Sequence, residues 1–244
     1  MQIDILFEGF PGKSDRGFLG WSSCVLIRIP GERPVLFDTV GFNERFVLLE
    51  RLAALGVRLD EIESVFLSHF HFDHAVNFGL FPKATFYLHE EEVRHVKENG
   101  QKDLAVPYEM FSALENTGRL SILSGSSGET KGIRWVHTPG HTPGLYSIFI
   151  QYQAERWVLA SDAVKNPAEL ISGKAAMTWD PQRGEQSIAL IRDWADVVVP
   201  GHSGAVRIER GPDGIEIRPV TSSTVTISIP QNGIPETKIF VLEA

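Results

Sequence analysis

The chain has 244 residues, 43% of them apolar, and its 31 acidic against 23 basic side chains give a formal net charge of −8. That length and apolar content suffice for one large core, so a single domain over residues 1–244 is expected. The acidic balance, with no basic stripe, argues against nucleic acid as a partner.

A lone cysteine, Cys24, excludes an intramolecular disulfide, and its place in the apolar run Ser23–Ile27 makes it a packing residue. No apolar run approaches the ~20 residues of a membrane span, and Met1–Phe7 carries no charged leader. A cytoplasmic protein without a membrane partner is expected.

In chain order, a strand at Ile3–Phe7 leads into the loop Glu8–Trp21, whose four glycines accompany Phe10, Phe18 and Trp21. That loop is either an apolar wall for an organic substrate or an ordinary glycine-rich turn with buried anchors. Strands follow at Cys24–Ile29 and Pro34–Asp38, then a helix at Glu44–Leu55 stopped by Gly56. Asp38 ends its strand, either capping a turn or orienting a metal-bound histidine.

The next strand runs into Ser68-His69-Phe70-His71-Phe72-Asp73-His74, which packs three imidazoles and a carboxylate into six positions. These are the donors that Zn²⁺ takes at roughly 2.0–2.2 Å. Strand alternation sends His69, His71 and Asp73 to one side and Phe70 and Phe72 to the other, and a turn near Asp73 lets His74 swing round. Such a set can serve two neighbouring ions. A strand at Thr85–Leu88 precedes a charged helical stretch in which His89 and His95 read as solvated surface. A helix is expected at Asp103–Leu114, within the segment 99–123.

Strands at Leu120–Leu123, Ile133–Val136, Tyr146–Ile150, Trp157–Ala160 and Val197–Val199 make a second β-rich half. Three of them lead to ligand-type residues: His141 in the turn Thr138–Gly144, Asp162, and His202. His137 reads as a strand residue or a support for a ligand. Asp180 as N-cap and Pro181 in the first turn open the helix Gln182–Trp194. From about 203 the tail is β-rich, with strands at Ala205–Arg210, Ile215–Val220, Thr224–Ile229 and Lys238–Leu242 and turns at Gly211–Gly214 and Gln231–Gly233. It would extend a sheet edge or pair with a second subunit as a homodimer.

The series His69-x-His71-x-Asp73-His74, His141, Asp162, His202 resembles the ligand series of the metallo-β-lactamase superfamily, over about Ile3–His202. The resemblance implies an α/β fold of the αβ/βα four-layer sandwich type. It implies two divalent metal ions per chain, Zn²⁺ first and Mn or Fe as alternatives: His69, His71 and His141 hold one, Asp73, His74 and His202 the other, and Asp162 bridges them. It also implies hydrolysis by a metal-bound hydroxide, with Asp73 as general base or as ligand only.

The similarity is greatest to the lactonase-like subgroup, which implies a small-molecule lactone or ester as substrate. Acyl-homoserine lactonases carry a tyrosine three positions after the bridging Asp; here Lys165 stands there, either contacting an anionic group or the oxyanion, or facing solvent. A glyoxalase-II-like thioesterase and a non-catalytic metal-binding protein on the same fold are the alternatives.

Overall fold

The computed structural model describes residues 1–212, 214–221, 223–231 and 234–242. Its first half runs β1 (Gln2–Phe7), β2 (Lys13–Ser14), β3 (Gly17–Phe18), β4 (Cys24–Arg28), β5 (Val35–Phe37), α1 (Arg45–Ala54), β6 (Ser64–Phe66), α2 (Phe72–Ala75), β7 (Thr85–His89), α3 (Glu90–Asn99), α4 (Tyr108–Asn116) and β8 (Leu120–Leu123). The second half runs β9 (Ser127–Thr130), β10 (Ile133–His137), β11 (Tyr146–Tyr152), β12 (Glu155–Ser161), α5 (Pro167–Ser172), α6 (Pro181–Trp194), β13 (Val197–Pro200), β14 (Val206–Gly211) and β15 (Gly214–Pro219). A final hairpin joins β16 (Ser223–Gln231) to β17 (Ile234–Leu242).

The halves form one sheet each, in the orders β1-β4-β5-β6-β7-β8 and β15-β14-β13-β12-β11-β10-β9. Their strands are apolar on both faces because each face is covered. On β12, Trp157 and Leu159 point to the core between the sheets, whereas Val158 and Ala160 pack with Leu170 of α5 and Ile188 and Ile191 of α6. On β4, Val25 and Ile27 face that same central core, while Cys24 and Leu26 share the outer cluster with Leu48 of α1, Val96 of α3 and Phe111 of α4. Helix, sheet, sheet, helix is the expected four-layer order, and Cys24 is buried as expected.

The tail divides. β14 and β15 extend the second sheet, but among the described residues β16 and β17 pair only with each other. Val225 is the hairpin's buried anchor, in a groove of about 520 Å³ lined also by Trp21, Val47 and Arg51. Asp213, Asn232 and Gly233, in the two expected turns, lie outside the described residues. Among the described residues no helix is long and apolar enough to cross a membrane.

The parallel pairs place the site. β5 and β6 run parallel, as do β12 and β13, so Asp38, Ser68–His74, Asp162 and His202 all follow the C-terminal ends of adjacent strands at one rim of the sandwich. The loop after β10 brings His141 to the same rim, and Tyr146 N donating to Ser68 O stitches the two sheets together there at 3.2 Å.

Candidate metal centre

All seven sequence-predicted ligands come together. Their donor atoms fall into three overlapping groups, His69–His71–His141, His69–His74–Asp162 and Asp73–His74–His202, each within 4.8 Å. His69 and His74 are wholly buried, and His71 nearly so. The local path differs from a plain extended run. His71 is the N-cap of α2, so Phe72, Asp73 and His74 already lie in a helical turn, and Phe70 is buried while Phe72 is 42% exposed. Phe70 and Phe72 therefore do not share a side; the carboxylate of Asp73 is favoured in a helix's first turn, which ends the alternation at His71.

Ring orientation follows from what each second nitrogen touches. His74 Nδ1 donates to Asp38 Oδ2 at 2.9 Å, His141 Nδ1 to Met177 O at 3.1 Å and His202 Nδ1 to Trp21 O at 3.1 Å, while His69 Nδ1 is 3.0 Å from Ser68 Oγ. In these four rings Nε2 is left for the centre. His71 is reversed: Nδ1 is 3.0 Å from His141 Nε2 and Nε2 faces Asp103 Oδ2 at 3.5 Å. Asp162 lies between the two sets. Its Oδ2 is 3.2 Å from His141 Nε2, and its Oδ1 is 3.5 Å from His74 Nε2 and 3.4 Å from His202 Nε2.

These residues fit divalent cations. Tetrahedral ligands at 2.0–2.2 Å stand about 3.3–3.6 Å from one another, and the neighbouring donors here are separated by 3.0–3.7 Å. His69 Nε2, His74 Nε2 and Asp162 Oδ1 are buried with no hydrogen-bond partner, an arrangement costing about 1–3 kcal/mol each unless something fills it. Charge agrees. Burial would push His74 and His202 down, yet Asp73 and Asp162, with Asp38 at His74, hold both above the usual imidazole range. Burial would raise Asp162, but His202, His141 and His74 hold it well below the carboxylate range. Burial and the neighbouring histidines push His69 down, and burial holds His141 down to about 3. Protons thus sit where cations would, and metal binding would release them.

Asp38 is a support, as one reading of it expected. It accepts from Ser68 N, Ser68 Oγ, Ser161 Oγ and His74 Nδ1 at 2.7–3.0 Å. Asp38 and Ser161 both hold left-handed backbone, with φ 61° and 48°, a strain that persists only where surrounding contacts impose it. Ser68 and Ser161 were missed by sequence reading, since serines at strand ends carry no distinctive signal.

Lys165 is not solvent-facing. Its ammonium is 3.1 Å from Glu169 Oε1, with the side chain 13% exposed, and its charge helps lower His141. The glycine-rich loop reaches the centre: Trp21, bridged to Phe10, has its O against His202 Nδ1, and Lys13 Nζ is 3.7 Å from Sδ of Met177, whose O meets His141 Nδ1. His89 and His95, expected on the surface, are buried. His89 ends β7 and caps α3, and His95 faces inward from α3, while Glu90 is exposed and Glu91 partly so, which a charged composition conceals.

A four-layer α/β sandwich with a histidine and carboxylate centre at the rim defines a metal-dependent hydrolase fold. The metallo-beta-lactamase superfamily model matches residues 19–202, and the chain belongs to that superfamily. Metallo-beta-lactamase domain-containing protein 1 of Xenopus laevis is 29% identical over 208 residues, 84% of this chain and 81% of its own length. The mouse protein of that name is 31% identical over 72% of this chain and 62% of its own length. A metallo-beta-lactamase-like protein of Thermotoga maritima superposes with a TM-score of 0.69 at 22% identity, covering 84% of this chain and 98% of that one. AidC, a dizinc quorum-quenching lactonase, superposes at 0.65 with 23% identity over 82% and 79%.

Proposed function

We propose that this chain is a binuclear metal-dependent hydrolase of lactones or esters. The observation that carries the reading is Asp162, whose two oxygens divide between His141 on one side and His74 and His202 on the other. His69, His71 and His141 would hold one ion, Asp73, His74 and His202 the second, with Asp162 between them. Divalent cations held so would supply Lewis acidity and water activation near neutral pH. Zinc suits the histidine-rich set, with Mn or Fe as alternatives.

The protein's own groups do the rest. Asp73, whose Oδ2 is 3.5 Å from His202 Nε2, would act as general base or as ligand only. Lys165, whose charge acts on His141, would face a developing oxyanion or a substrate carboxylate by exchanging its partner Glu169. Exposed Phe18, Phe72, Met177 and Trp179 beside the ligand loops favour a substrate with an apolar part. The lactonase AidC, crystallised with N-hexanoyl-L-homoserine as product, supports this substrate class. A thioesterase of the glyoxalase-II kind is the second reading; among the described residues the segment after His202 forms the strands β14 to β17.

The test is hydrolysis of lactones, esters and thioesters by metal-loaded protein. Lactone or ester turnover is expected, with Lys165→Ala lowering kcat/KM about 10–10³-fold at unchanged metal content. Exclusive thioester cleavage, or no turnover of any of the three, would contradict the reading.

A further inference from the structure

Helix α3 lies outside the ligand loops, yet its inward face carries two ionisable side chains beside the apolar Val93 and Val96. Glu92 and His95, three residues apart and so on one face, are both buried there. Glu92 Oε1 accepts from Phe70 N at 2.9 Å, the amide between His69 and His71. Its Oε2 accepts from Thr142 Oγ1 at 2.6 Å and from Gly144 N at 3.1 Å, both just after His141. One carboxylate therefore joins the two loops that carry the first histidine set. The fit is close: a methyl on Gly144 would overlap the backbone of Glu92.

One turn further on, His95 Nε2 donates to Asp103 Oδ2 at 3.1 Å, and Ala105 N to Asp103 Oδ1 at 3.1 Å. Asp103 Oδ2 then faces His71 Nε2 at 3.5 Å. His71 alone among the five histidines presents Nδ1 to the centre, and a carboxylate at Nε2 favours the tautomer that leaves Nδ1 free. Asp73, His74 and His202 are supported elsewhere, by Ser22, Asp38 and Trp21.

We infer that α3 is the positioning element of the His69–His71–His141 subsite, with Glu92 fixing the two loops and the His95–Asp103 pair fixing the His71 ring. The inference rests on the metal-centre reading above. Its distinctive consequence is selectivity, since the second subsite has its own supports.

The experiment is titration of metal-free protein with Co²⁺, followed by visible absorption and by competition with a chromophoric chelator, together with the urea midpoint of the metal-free protein. His202→Ala identifies the binding step of the second subsite. Asp103→Asn, at a partly exposed turn, and Glu92→Gln should each weaken the other step about 10–100-fold and shift its absorption bands, leaving the His202-dependent step within about twofold. In Asp103→Asn the metal-free midpoint should not move. Two binding steps unchanged in both variants, or both steps weakened equally with a lowered midpoint, would overturn the inference. Failure of the wild type to take up Co²⁺ would overturn the metal-centre reading, and this one with it.

Discussion

His137 shows how a neutral histidine can support the loop that carries His141. Its ring stacks on that of His89 at 4.0 Å and 17°, and its Nε2 donates to Pro143 O, two residues beyond His141. Burial, then the proximity of His89, holds it down to about 4. An unfolded histidine titrates near 6.5, so as pH falls from there towards 4 the unfolded chain binds a proton that the fold refuses. Stability is then lost, and the loss levels off below the folded value. Allowing for solvent at this partly exposed ring, metal-free protein should lose about 1–2 kcal/mol on this account between about pH 7 and pH 5. Urea unfolding at both pH values checks it: His137→Gln should shallow the dependence by that amount, and an unchanged slope would contradict the assignment. His137 was legible as a strand residue near a ligand. His95 was not, because burial on a charged helix depends on which way its face turns, and that is set by tertiary packing; nor was His89, which ends β7 and caps α3 instead of lying on the helix.

At the scale of elements, the loop carrying His141 depends on a close approach between glycines. Gly140 has φ 144°, outside the range L side chains adopt readily, and a methyl there would overlap Gly184 of α6. Gly140→Ala should destabilise by about 1–3 kcal/mol and displace His141, lowering Tm and first-subsite metal affinity together. Retention of wild-type Tm and affinity would show that the approach has slack. The strands were readable as apolar runs ending at polar residues, and α6 from its Asp180–Pro181 start, where Asp180 accepts from Arg183 N at 3.0 Å. The helix expected at Asp103–Leu114 begins only at Tyr108, because Asp103 bonds Ala105 N in a turn of its own and Pro107 caps the helix. Such side-chain turns compete with helix formation, and apolar periodicity does not detect them. α5 was not foreseen, although Asn166 at its N-cap, Pro167 and Gly173 with φ 68° are ordinary start and stop signals.

At the scale of the whole molecule, two half-structures meet across one core and expose one rim where parallel strands end. Periodicity could not pair the halves, since strands covered on both faces carry no marked polar side to say which way they point. The resemblance carried by the ligand series, from His69 to His202, supplied that pairing. What the series could not reveal was the supporting set, Ser68, Glu92, Asp103 and Ser161, whose roles lie in contacts made across the fold. The central claim, two ions held around Asp162, is tested most directly by elemental analysis of protein saturated with Zn²⁺ and freed of excess. The account predicts close to two ions per wild-type chain; saturation at one ion, or none, would contradict it.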